Sequence, residues 1–159
     1  MNWDNLIGIP FLMGQRDCFA LSRNFFKQNF DLDILDYARP NDWDADNINL
    51  IELCHEHAGF EKLTNFKFKE LRPGDVLCMS IGSSNPNHFA IYVGDNTMLH
   101  HLANRFSGTE PYRDFWRNVT SFVLRHPSIP DLRPVYPEAS ISDLIRARLD
   151  FAPKPEPSE

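Results

Sequence analysis

No stretch of this 159-residue chain is apolar for long enough to cross a bilayer, which excludes a membrane-spanning helix. Cysteine is scarce. Cys18, Cys54 and Cys78 are odd in number and irregularly spaced, so they do not make a disulfide framework. Free thiols in a reducing compartment are the expectation. Basic residues are also short, 16 Lys and Arg against 22 Asp and Glu, and a net charge of -6 leaves no footprint for nucleic acid. The start, Met1-Asn2-Trp3-Asp4, lacks the basic residues and apolar run of a secretory leader. Synthesis in the cytoplasm without a signal peptide is therefore expected. No internal repeat is visible.

What is present is enough for a core. Hydrophobic residues make up 42% and aromatics 13%, with 13 Phe, so the chain folds as one domain without staples. Asp17 is a good N-cap for a helix that begins at Cys18 and ends near Asn29. Its apolar face carries Cys18, Leu21, Phe25 and Phe26. Asp31 to Asp46 is a polar loop with a helical turn around Ile34 to Tyr37. Asp46 or Asn47 caps a second helix running to about Ala58, with Gly59 as its stop and Ile48, Ile51, Leu53 and Cys54 facing inward.

The period then changes. Strands are expected at Val76 to Ile81, His88 to Val93, Thr97 to Leu102 and Thr120 to Arg125. Gly94-Asp95-Asn96 turns the middle two into a hairpin. A short helix at Pro111 to Arg117 carries Tyr112, Phe115 and Trp116. Residues 127–159 form a Pro-rich extension, with an amphipathic helix at Ser140 to Leu149 and a disordered end from Phe151. Helices followed by antiparallel strands make an α+β domain.

Chemistry concentrates in two places. Cys18 lies at a helix N-terminus, which favours a thiolate and points backbone N–H groups at a developing oxyanion. His88 and His100 fall on the two strands of the hairpin, close to opposite each other and roughly 5 Å apart across the ladder. Cys18 as nucleophile, His88 as base and His100 as its orienting partner make a triad with a thiol. On this reading Cys18 is alkylated ahead of Cys54 and Cys78 near neutral pH, both of which sit in core patterns. His101 falls on the opposite strand face by alternation and is set aside. The bland alternative is that Cys18 is a small buried hydrophobe. No metal site is expected. Cys54, His55 and His57 diverge around a helix, and no second Cys/His pair at zinc spacing follows.

Pro10-Phe11-Leu12-Met13-Gly14, Asp17-Cys18, Pro73-Gly74-Asp75, His88-Phe89-Ala90-Ile91-Tyr92-Val93-Gly94 and then His100 occur in that order. In this the chain resembles the NlpC/p60 family of papain-like cysteine peptidases, over residues 1–126. Within the family, Met98-Leu99-His100-His101-Leu102 and Phe122-Val123-Leu124-Arg125-His126 are similar to the domain carried by phage tail assembly proteins. The resemblance implies an antiparallel sheet packed by N-terminal helices. It also implies a cofactor-free peptidoglycan hydrolase cutting an amide of the wall stem peptide, associated with the phage (or prophage) tail, partnered by other tail-tip proteins and acting at the cell wall. It places Asp17 and Phe11 in the substrate site. Phe11 stands where the family usually has Tyr, which removes a hydroxyl from the oxyanion or substrate region. Asp17 has two roles open to it, capping the helix and binding a substrate amine. A tail-assembly module with weak or no catalysis is the rival reading, and an acyltransferase or amidase acting on another small substrate is a third.

Overall fold

The computed structural model describes residues 1–39 and 49–135, together with 142, 145 and 146. Among the residues described without interruption, three α-helices, α1 (Cys18–Phe30), α2 (Leu50–Cys54) and α3 (Phe115–Val119), accompany six strands. These are β1 (Glu61–Leu63), β2 (Val76–Met79), β3 (His88–Gly94), β4 (Thr97–His100), β5 (Gly108–Pro111) and β6 (Thr120–Arg125). They form one antiparallel sheet in the order β1-β6-β2-β3-β4-β5. This is the expected α+β arrangement, with helix α1 packed on the sheet.

Helix α1 starts where its capping chemistry dictates. The Asp17 carboxylate accepts the Ala20 amide at 2.8 Å, and Cys18 is the first helical residue. It ends at Asp31, which takes the left-handed conformation (φ 51°) and returns its amide to Lys27 and Phe26. Leu21, Phe25 and Phe26 bury against Val76, Cys78, Ile91, Leu99 and Phe122 on one sheet face. A second cluster covers the other face: Leu71, Leu77, Met79, Ala90, Met98, Tyr112 and Val123, with Trp116 packed on it. Every residue of β2 is therefore buried, which is why it is a continuous apolar run rather than an alternation.

Several expectations need correction. Strands β1 and β5 were not expected, since both are short, polar edge strands without a period-2 pattern. Residues Pro111 and Tyr112 are not helical. Gly108–Pro111 pairs with β4 instead, and the helix starts at Phe115. Ile34 to Tyr37 forms no helical turn. Helix α2 is capped by Asn49, whose side chain accepts the Glu52 amide, and it ends at Cys54 rather than Ala58. Asp46, Asn47 and Ile48 lie outside the described residues. Leu53 is 72% exposed and Cys54 only half-buried, because Leu53 lies two residues, about 200° around the helix, from the buried Ile51. Of the helix expected at 140–149, the three described residues are helical and exposed; Phe151 onward lies outside the described residues.

Asp75 anchors the sheet. Its carboxylate takes Nε and Nη2 of Arg125 at 2.7 and 2.6 Å, and the Arg72 amide at 2.8 Å. It thereby ties the turn before β2 to the end of β6, and it is 1% exposed. Removing one partner of such a pair strands the other charge. Asp75→Ala should lower unfolding free energy by about 3 kcal/mol in a urea titration. A loss under about 1 kcal/mol would mean that Arg125 simply turns to solvent.

Candidate active site

Cys18, the first residue of α1, and His88, the first residue of β3, line one open cleft of about 270 Å³. Phe11, Met13, Asp17, Phe19, Arg39 and His101 also line it. A neighbouring cavity of about 70 Å³ beyond Phe19 is almost wholly apolar and is lined by neither Cys18 nor His88. The chemistry therefore belongs to the first cleft.

His88 and His100 meet on one face as expected. The ladder centres on Asp95, so His100 pairs with Ala90, two residues from His88, and the register slips only next to the turn, between Tyr92 and Gly94. The two histidines are thus diagonal neighbours on one face, within imidazole reach. His88 Nε2 lies 3.2 Å from His100 Nδ1. His100 Nε2 lies 3.3 Å from Glu110 Oε1 on β5, and Trp116 Nε1 donates to Glu110 Oε2 at 3.1 Å. The Trp116 ring stands edge-on to His100 at 4.9 Å. Glu110 was missed because its strand carries no apolar pattern. Trp116 was recognised only as an aromatic on a short helix.

His101 corrects the alternation argument. Strand β4 ends at His100, so the period-2 rule does not extend one residue further. His101 is 2% exposed and turns into the cleft wall, with Nε2 3.2 Å from the Arg105 carbonyl oxygen and its ring against Phe11 at 5.3 Å. Phe11 fills its place as an apolar wall. Asp17 is fully engaged. One oxygen accepts Ala20 N–H, and the other accepts Gly14 N–H at 2.8 Å and Arg39 Nε at 2.7 Å. A substrate amine would have to displace Arg39, so capping is the role the geometry supports.

Burial pushes the Cys18 thiol up to about 12, against the Phe89 and Phe19 backbone N–H groups that reach toward the sulfur. Burial, reinforced by His100 and His101, pushes the His88 imidazole down to about 3. His100 is lowered chiefly by burial, with the Glu110 charge pulling the other way. The resting pair is therefore a thiol facing a neutral base, not the thiolate expected from the helix N-terminus. Among the described residues no hydrogen bond joins Cys18 to His88, although both line the cleft. Cys78 is buried in the core as expected. His55 and His57 turn to different partners, the Glu52 carbonyl and the Tyr37 hydroxyl. Among the described residues no three His, Cys, Asp or Glu side chains are grouped to hold a metal ion.

The sequence model of the NlpC/P60 family matches residues 8–125. The chain belongs to that family. The chain is 36% identical over 122 residues to the tail tip assembly protein K of Escherichia phage lambda, covering 77% of this chain and 59% of that protein. It is 26% identical over 126 residues to the tail tip assembly protein K of Escherichia phage N15, covering 78% and 50% respectively. The chain thus spans between a half and three-fifths of the length of these curated relatives. A crystal structure of the NlpC/p60 domain of peptidoglycan hydrolase SagA superposes with a TM-score of 0.51 at 20% identity, covering 76% of this chain and 90% of that one. At that identity the likeness speaks for the NlpC/p60 fold alone.

The protonation states have a direct readout. Alkylation requires the thiolate, whose fraction grows as pH rises. Cys18, with its thiol near 12 and 8% exposure, should label more slowly than half-buried Cys54 near neutral pH. Its rate should climb about tenfold per pH unit over the alkaline range below that value. Peptide mass spectrometry after timed iodoacetamide treatment checks this. Cys18 labelling first at neutral pH would mean that a thiolate–imidazolium pair already exists at rest.

Proposed function

We propose that this NlpC/P60 chain is a phage tail-tip protein that hydrolyses an amide of the peptidoglycan stem peptide. The observation that carries the reading is the cleft in which a cysteine at a helix start faces a histidine that is itself hydrogen-bonded to a second histidine. The tail context comes from the two relatives named as tail tip assembly proteins. The solved neighbour, a domain of a peptidoglycan hydrolase, makes the wall stem peptide the substrate to try first.

The chemistry follows from the groups in the cleft. Cys18 Sγ adds to the amide carbonyl carbon, and its proton passes to His88 in the same step. Concerted transfer matters because a free thiolate is disfavoured in this burial. The carbonyl oxygen gains negative charge at the N-terminus of α1, where backbone N–H groups are directed outward. His88 then protonates the leaving amine as the C–N bond breaks, which leaves a thioester on Cys18. Water, deprotonated by His88, attacks the thioester. The stem peptide leaves as a carboxylic acid, and Cys18 recovers its proton. His100 orients His88 throughout.

A second reading has an observation of its own. The high thiol value, the missing hydroxyl at Phe11 and the unbonded Cys18–His88 pair favour a cleft that binds a peptide during tail assembly without cutting it. Purified protein and its Cys18→Ala variant, incubated with sacculi or muropeptides and followed by mass spectrometry, separate the two. Cleavage should fall by about a thousandfold or more in the variant, with little change in stability. Equal cleavage by both would end the role assigned to Cys18. No cleavage by either would favour the assembly reading.

A further inference from the structure

We propose that Glu110, clamped by Trp116, is a positioning residue that sets the ring tautomers of both His100 and His88. The inference rests on the reading of the cleft as a thiol hydrolase for its catalytic meaning, but not for its structural content. A carboxylate only accepts hydrogen bonds and an indole N–H only donates. Trp116 Nε1 donates to one Glu110 oxygen, and the other faces His100 Nε2 at 3.3 Å. His100 must therefore carry its proton on Nε2, which leaves Nδ1 as an acceptor. That Nδ1 lies 3.2 Å from His88 Nε2, so His88 must also carry its proton on Nε2. Its Nδ1 is then bare and is the nitrogen able to take a proton from a thiol. The tautomer of the base is fixed two residues away, by a carboxylate on the edge strand.

The arrangement is directional because of Trp116. Glu110 is 41% exposed, so its carboxylate remains hydrated while reaching inward. A neutral glutamine there has one acceptor oxygen for two donors. Trp116 cannot reverse its role, so the amide oxygen turns to it and the NH2 group turns to His100 Nε2. Each histidine must then shift its proton to Nδ1. His88 would present an N–H to Cys18 where the reaction needs a lone pair. Removing the indole donor frees the amide oxygen to face His100 again.

Long-range 1H–15N spectra of 15N-histidine-labelled protein near about pH 8, where both rings are neutral, read these tautomers directly. The native protein should show Nε2–H on both His88 and His100. Glu110→Gln should move both to Nδ1–H, and Glu110→Gln with Trp116→Phe should move them back. Nδ1–H on either ring of the native protein, or no change in Glu110→Gln, overturns the proposal. Should the single variant fail to fold, the native tautomers alone decide. With a muropeptide substrate, Glu110→Gln should lower kcat by about a hundredfold or more and leave KM within about twofold, as for a base held in the wrong tautomer. A native protein that cuts nothing but shows the expected tautomers would sink the hydrolase reading and leave the relay standing. Full activity with the tautomers reversed would do the opposite.

Discussion

The Asp17 carboxylate is the constraint on which the cleft depends. It closes the turn at Gly14, caps the first turn of α1 at Ala20 and holds Arg39 from a loop far along the chain. Three separate segments meet at one buried group, and the sulfur is on the next residue. A helix start displaced by one residue would rotate Cys18 by about 100° and carry it out of the cleft. The same carboxylate opposes ionisation of the thiol by its charge, and Arg39 opposes that effect in turn. The cap and its arginine form a nearly neutral unit, so the site gains position without fixing a strong charge beside the nucleophile.

This explains the electrostatic character of the resting site. A buried imidazole or thiol is tolerable when neutral and hydrogen-bonded, and expensive when charged. His88 and His100 are both buried and both disfavour the cationic form, so they share a hydrogen bond rather than a charge. The permanent negative charge in the chain of contacts sits at its outer end, on Glu110, where water reaches it. A proton arriving at His88 would create positive charge deep in the cleft. The polarity of the relay points that charge outward toward Glu110.

What the sequence made legible was what local chemistry decides. Asp17 before an apolar periodic face locates the start of α1 to the residue, because capping needs only a side chain and an amide three positions on. Strand β6 has the expected bounds, and β3 differs by one residue, since their patterning answers to a sheet covered by two cores. Non-local consequences were less legible. The slip between Tyr92 and Gly94 depends on how a turn meets its strands and left no mark in the sequence, although the partner of His100 lies close to His88 and on the expected face. Gly108 to Pro111 gave no sign of a strand because an edge strand need not be apolar, and Glu110 went unseen with it. His101 was set aside by carrying alternation past the last paired residue. The burial that raises the Cys18 thiol is not visible in a sequence, whereas a helix terminus is.

Burial also bears on how one cleft serves either reading of the chain. Phe11, Phe19 and Met13 wall the cleft, and none of them needs an ionised cysteine to do so. Catalysis asks more: the occupant must exclude water, bring a carbonyl to the start of α1 and draw Cys18 into reach of His88. Excluding water strengthens both the backbone N–H groups aimed at the carbonyl oxygen and the relay behind His88, while it further disfavours a thiolate formed in advance. A group that stays neutral until its substrate arrives is protected from stray alkylation and oxidation, both of which require the thiolate. The high resting value of Cys18 is therefore compatible with a nucleophile whose activation depends on occupancy of the cleft.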